Sequence, residues 1–273
     1  MYLQLILSDP EIQDTHIRLD RAALELATIQ YPDLPVEPSL DRLNELASSL
    51  GDRLRNFNDG RDFVETAQRY LFGELGFHGN EEDYFDPLNS CLNQVLERRT
   101  GIPVTLSVMY MEIARRLAMP VFGIGLPRHF VIQFDDGNYA TYIDPFHGGR
   151  TITPRECFML AGATVADPMM LRRVSKKDII RRMIQNLQSG YLKRNDWTRA
   201  AQTLDLLVLA APERSHELAA ASKLRGLLLV ELKRFQEARR DFERYLALEP
   251  EAADRAEVEK QILAIHRWLA RVN

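Results

Sequence analysis

Apolar positions recur in this chain with two different periods, and the change from one to the other places its elements. Residues 104–117 repeat apolar side chains every three or four positions (Val104, Val108 and Met111 with Leu106, Tyr110, Ile113 and Leu117), the spacing of an amphipathic helix. Immediately afterwards, residues 121–124, 129–134 and 139–143 read as strands. Asp135-Asp136-Gly137-Asn138 separates the last two as a hairpin turn, so His129 opens one strand and Asp144 closes its neighbour. Upstream, helices are predicted over residues 20–31, stopped by Pro32, and from a Ser39 cap to Gly51 with Leu40, Leu43, Leu46 and Leu50 inward. A third spans about residues 62–75 and a fourth starts near Pro87, carries Leu92, Val95 and Leu96 inward, and ends at Gly101. Thr153-Pro154-Arg155-Glu156 has the form of a capping box, which puts Cys157 on a following helix as a small core residue.

The last third repeats itself. Tyr191, Trp197, Ala200, Leu204 and Pro212 recur 38 positions on as Leu229, Phe235, Ala238, Phe242 and Pro250. Small alanines let paired helices approach, aromatic residues fill between them, and the prolines end the second helices. This resembles two tetratricopeptide (TPR) units of about 34 residues, the first lengthened around residues 214–220, closed by a helix over residues 253–272. Two units leave apolar end faces, so docking on the rest of the chain or on another chain is expected. The chain therefore reads as two domains, residues 1–165 and residues 176–273, with a connector between them.

Composition narrows the function classes. A hydrophobic fraction of 45% suits a chain with a sizeable core, and a net charge of −4 gives no general attraction for nucleic acid or anionic membranes. No run approaches the roughly 20 apolar residues of a spanning helix, and the start lacks a positively charged leader. Cys91 and Cys157 fit neither a disulfide framework nor zinc-ligand spacing, which suits a reducing cytoplasm. Gly148-Gly149 lacks the flanking spacing and the Lys-Ser/Thr of a phosphate loop, and no cofactor is assigned. His129, Asp144 and His147 lie close in sequence, but without an HExxH or paired Cys/His pattern no metal is assigned.

A histidine at the start of one strand beside an aspartate at the end of the next is the arrangement in which a carboxylate orients an imidazole. The order helix, strand, His129-Phe130, hairpin, Asp144-Pro145 resembles the transglutaminase-like and papain-like cysteine fold. That resemblance implies an α+β core with a helical N-terminal segment and a small antiparallel sheet, followed here by the all-α TPR-like region. It also implies a nucleophilic cysteine at the N-terminus of the central helix, and counting back from the corner Ala118-Met119-Pro120 puts this position at Pro103. Asn89-Ser90, Arg98 to Pro103, Pro127 to Phe130 and Ile143 to Gly149 resemble more closely the transglutaminase-core and TPR proteins of the invasion-regulator-like (SirB-type) family, in which Gly-Ile-Pro stands where the cysteine would be. Such relatives often carry glycine where this chain has Ala118 and Arg128, and an arginine leaves the turn before His129 less free to adopt positive φ.

The site candidates are accordingly His129 and Asp144 as remnants of a catalytic pair, Cys91 as a displaced nucleophile, and Asn89, Ser90, Arg98, Pro103 and Glu112 as cleft-lining residues. Asn89 and Ser90 serve equally as helix caps, and Arg98 or Arg99 as a partner for Glu112, Asp144 or an anionic group. Two functions follow. One is a non-catalytic protein that binds protein or peptide through its TPR-like region. The other is a cysteine- or histidine-dependent hydrolase or acyltransferase using His129 and Asp144 with Cys91 or an activated water.

Overall fold

The helical patterns of the first hundred residues resolve into α1 (Tyr2–Ser8), α2 (Leu19–Leu26), α3 (Glu37–Gly51) and α4 (Gly60–Ala67) in a computed structural model that describes residues 1–272. Each starts or stops for a local reason. Beyond α2 the chain tightens into a 3-10 turn, Ala27–Ile29, before Pro32. Helix α3 begins at Glu37 with Pro38 in its first turn, so Ser39 lies inside that turn and does not cap it. Asp59 caps α4 by accepting from the amides of Arg61 and Asp62, and the helix then widens into a π-helical segment, Gln68–Glu74, instead of continuing as α-helix to Leu75.

Two short parallel strands follow, β1 (His78–Gly79) and β2 (Thr100–Gly101), with a 3-10 turn (Pro87–Ser90) and α5 (Leu92–Arg98) between them. The Asp86 carboxylate caps the 3-10 turn, Cys91 occupies the N-cap of α5, and neither Asn89 nor Ser90 acts as a cap. Helix α5 ends at Arg99 in the left-handed region (φ 58°), two residues before Gly101. The amides of His78 and Asn80 donate to the carbonyls of Arg99 and Gly101 (2.9 and 3.0 Å), while that of Gly79 donates to Phe146 (3.0 Å).

Helix α6 (Pro103–Arg116) forms the centre. Eleven of its fourteen residues are buried, so it is enclosed on nearly all sides, where the sequence pattern predicts one buried face. It packs against α2, α3 and α5 and against β3 (Val121–Leu126) and β4 (His129–Asp135). These strands continue into β5 (Ala140–Asp144) and β6 (Arg150–Ile152), giving an antiparallel sheet in the order β3-β4-β5-β6. The expected hairpin turn is present: Gly137 has φ 87°, and the Asp136 carboxylate accepts from the amides of Asn138 and Tyr139. Phe63 bridges helix and sheet, 6.1 Å from the Tyr110 ring and 5.5 Å from that of Phe134. The capping box at Thr153 starts α7 (Pro154–Leu160).

Helix α8 (Lys176–Lys193) contributes to both of the compact units into which the chain divides, the first comprising residues 1–6 and 11–183, the second residues 7–10 and 184 onward. In the second unit, α9 (Trp197–Ala210), α10 (His216–Glu231), α11 (Phe235–Leu248) and α12 (Arg255–Val272) follow. Helix α10 packs against both α9 and α11. Tyr191, Ala200 and Leu204 are buried, as are their repeat equivalents Leu229, Ala238 and Phe242. Asn195 and Lys233, which occupy the same place in the two repeats, both adopt left-handed backbone (φ 57° and 58°). Gly226 completes the close approach of α10 and α11, since a Cβ there would stand 2.8 Å from the Phe242 ring. Arg225 grips the buried Asp241 through two bonds of 2.6 and 2.7 Å. No helix among the described residues is long and apolar enough to cross a membrane.

Candidate functional site

The turn that leads into β4 is made by Pro127 and Arg128, and Arg128 adopts φ 63° despite its side chain. Arg182 on α8 secures this corner by donating to the carbonyls of Leu126 (3.2 Å) and His129 (3.3 Å). The pairing of Ile132 with Ile143 sets Asp144 opposite Val131, one diagonal step from His129 on the same face of the sheet. His129 Nε2 lies 3.1 Å from Asp144 Oδ1, and the aspartate is fully buried.

Asp144 is the hub of a larger cluster. Its Oδ1 also accepts from the amides of Phe146 (3.1 Å) and His147 (3.4 Å), and its Oδ2 lies 2.6 Å from His147 Nδ1. An ionised carboxylate only accepts hydrogen bonds, which puts the imidazole protons on Nε2 of His129 and Nδ1 of His147. Burial by itself would raise the Asp144 carboxyl, but the hydrogen bonds and charges of His129 and His147 outweigh it and hold the group below the ordinary carboxylate value. The two imidazoles lie side by side with ring centres 5.5 Å apart. Phe146 meets His129 edge-on at 5.9 Å and is itself met by Tyr84 at 6.1 Å. Gly79 allows this packing, because a Cβ there would come within 2.4 Å of the Phe146 ring.

Asn89 is fully buried and orders the loop that carries Tyr84: its Oδ1 accepts from Asn80 (3.1 Å) and its Nδ2 donates to the carbonyls of Asp83 (2.8 Å) and Tyr84 (3.4 Å). Ser90 is buried beside it in sequence, and the Asn89 carbonyl receives the amide of Ile102 at 3.4 Å, just before Pro103 opens α6. Cys91 is fully buried, its thiol directed at the Pro87 carbonyl (3.5 Å), and burial, with the nearby Asp86 charge, pushes that thiol up to about 12. Cys157 is likewise fully buried and pushed up to about 12, by burial and then by Asp144 and Glu156.

Two candidates are bound elsewhere. Arg98 pairs with Asp86 at 3.0 Å and not with Glu112 or Asp144. Glu112 belongs with Arg115 (2.8 Å) and Arg116 (3.2 Å), which also hold the buried Asp20 at 3.3 and 2.7 Å. Nine residues at 1.5 Å per residue place Glu112 about 13 Å along the helix axis from Pro103. It lines a separate cavity of about 430 Å³ with Arg115, Met119, Phe122 and Lys176. The residue without an assigned role in the sequence reading is His147. Its spacing from Asp144 (i, i+3), immediately after a strand end, is the local signal that it can turn back onto that carboxylate.

Comparison with known proteins agrees with this architecture. Residues 37–185 match the profile of the transglutaminase-like superfamily, and residues 187–262 match a tetratricopeptide-repeat profile. A UPF0162 protein of Xylella fastidiosa is 33% identical over 88% of this chain and 86% of its own length, and one of Vibrio cholerae is 28% identical over 84% and 86%. F-box only protein 21 of Homo sapiens is 37% identical over 44% of this chain, which corresponds to 20% of that protein. No solved structure matches. The superfamily profile spans more than half of the sequence and contains the α6-to-β6 core, so the chain belongs to the transglutaminase-like superfamily and carries a tetratricopeptide-repeat region after it.

Proposed function

We propose that this protein is a non-catalytic transglutaminase-like fold coupled to a TPR-type unit that binds a protein or peptide, as in the invasion-regulator-like (SirB-type) proteins it resembles. The observation that carries the reading is the state of its cysteines. A cysteine nucleophile must be a thiolate within reach of its base, and both Cys91 and Cys157 are fully buried with thiols pushed up to about 12. The nucleophile position implied by the resemblance is Pro103, and a proline has neither thiol nor amide proton. TPR stacks offer extended concave surfaces to other chains, and the paired helices α8 to α11 with the closing α12 suit that use.

The test has two arms. A thiol-reactive probe at neutral pH should leave Cys91 unlabelled in the native protein, and stoichiometric labelling that disappears in His129→Ala would overturn the non-catalytic reading. Peptides selected on the full chain should crosslink to residues 184–272, and crosslinks confined to residues 11–183 would overturn the assignment of binding to the TPR-type unit.

A second reading rests on the His129–Asp144 bond, which is the pairing a general base uses. In that case an activated water, or Cys91 brought within reach, completes a hydrolase or acyltransferase. Ester or amide turnover by the wild type that is absent from His129→Ala would favour it.

A further inference from the structure

One ligand atom from each of His129, Asp144 and His147, an imidazole nitrogen or a carboxylate oxygen, lies within 4.8 Å of the others, in a place where side chains from the start of β4 and the loop after β5 converge. We propose that His129, Asp144 and His147 form a binding site for a divalent transition-metal ion, with two imidazole nitrogens and one carboxylate oxygen as its ligands. This inference is independent of the TPR reading and does not require catalysis.

Four observations support it. First, the donor set is suited to the ion: imidazole and carboxylate together bind zinc and its neighbours, and three protein ligands leave one position for water. Second, the distances are close to what is needed. Ligand bonds of about 2.0–2.1 Å put tetrahedral ligand atoms about 3.3 Å apart. Each imidazole faces its own oxygen of Asp144, His129 Nε2 with Oδ1 at 3.1 Å and His147 Nδ1 with Oδ2 at 2.6 Å, and with one ligand atom taken from each residue the widest pair has at most about 1.5 Å to close. Third, the ligands are held from behind. The amides of Phe146 and His147 fix the carboxylate, and Arg182 fixes the backbone of His129, the kind of outer support that orients metal ligands. Fourth, the site has both a buried anchor and an entrance. Asp144 is fully buried, whereas 36% of the His147 side chain is exposed. Among the described residues no lysine or arginine pairs with Asp144, so its ionisable partners are the two imidazoles. A cation at this point would offset the buried negative charge more fully than imidazole N–H groups do.

The proton balance is simple. Without metal, Nε2 of His129 and Nδ1 of His147 carry the protons that face Asp144; the metal takes the place of those protons. A neutral ring moves its proton to the opposite nitrogen through solvent, and a cationic ring releases one proton. No oxidation state changes.

The experiment uses tag-free, full-length protein freed of metal with a chelator and titrated with Zn(II) against a competing chromophoric chelator, and separately with Co(II). One equivalent of Zn(II) should bind per chain, with affinity at least 10-fold lower in His147→Ala and in Asp144→Asn, in line with the effect of weakening a metal site. Co(II) should produce the visible ligand-field bands of a four- or five-coordinate ion, and His147→Ala should lose them. An unchanged melt of metal-free His147→Ala shows that the fold is intact, and His147→Gln supplies the same comparison if the alanine variant does not fold. Failure to bind one equivalent, or wild-type affinity in the His147 variant, overturns the proposal and leaves the cluster as hydrogen bonding alone.

Discussion

Asp144→Ala is the most informative perturbation of the core, because the carboxylate accepts from four donors at once. Without it, His129 Nε2 and the Phe146 amide lose an acceptor in a buried setting, while the half-exposed His147 can turn to water. Each buried donor left unsatisfied costs about 1–3 kcal/mol, so the two together set a range of roughly 2–6 kcal/mol, with loop relaxation favouring the lower half. At roughly 2–4 °C per kcal/mol for a unit of this size, a loss near 3 kcal/mol lowers the melting temperature by about 6–12 °C. The measurement is a thermal melt in chelator, so that no bound ion contributes, with the two compact units followed separately because one transition need not report both. His129→Ala and the double variant complete the cycle. Residues in contact should show a coupling of at least about 0.5 kcal/mol. Additive losses below about 0.5 kcal/mol at each site, the size of ordinary surface substitutions, would refute the argument that this bond holds the hairpin.

Four other substitutions test different parts of the structure. Asp20 is fully buried among Arg18, Arg115 and Arg116; burial would raise its carboxyl, but the hydrogen bonds of Arg18 and Arg116 hold it far below the usual range. Its contribution is therefore present above the unfolded value, about 3.9, and lost as pH falls below it. Asp20→Asn should lower stability at pH 7 by about 3–5 kcal/mol and flatten the acid limb, and an unchanged acid limb would contradict this. Glu112 runs the other way, raised by burial and then by the Asp20 charge, so Glu112→Gln should cost less at pH 7 than Asp20→Asn. Arg128→Gly relieves a left-handed arginine and should raise stability by about 0.5 kcal/mol, the net of about 1–2 kcal/mol of relief and the added freedom of the unfolded glycine; a lower melting temperature would show that the Arg128 side chain contributes more than its backbone strain. Arg225→Ala removes the two short bonds to the buried Asp241, leaving it Arg244 at 3.5 Å, and should destabilise the second unit by up to about 3–5 kcal/mol, read by hydrogen exchange in residues 184–272.

What the sequence made legible was local. The turn at residues 135–138 could be read because Gly137 and the Asp136 side chain carry its geometry themselves, and the Thr153 capping box is likewise complete within four residues. Contacts that depend on distant segments had no such signature. Asn89 has the composition of a cap but spends its hydrogen bonds on Asn80, Asp83 and Tyr84. Glu112 shares its arginines with Asp20, 92 residues earlier in the chain, so its removal from the His129 region could not be seen from helical periodicity. Strand β6 is three residues long and shows no alternation of its own; pairing with β5 creates it. At Arg128 the local preference against positive φ does not hold: the residue adopts φ 63° at the corner that Arg182 secures.

The backbone junction of residues 78–80 with residues 99–101 and 146 has a consequence for the order in which the protein assembles. Its hydrogen bonds join segments separated by about 20 and about 70 positions, so closing them carries a loop entropy that local helices such as α6 do not face. On loop entropy alone the junction is expected to close after the local helices, which pulse-labelled hydrogen exchange at the amides of His78, Gly79 and Asn80 would test. Phe146 supplies the third segment of this junction and packs against both His129 and His147, so closing the junction also encloses the His129 cluster. The β4–β5 hairpin thus brings His129 and Asp144 together, while the surroundings of the pair are set by long-range contacts of the first unit.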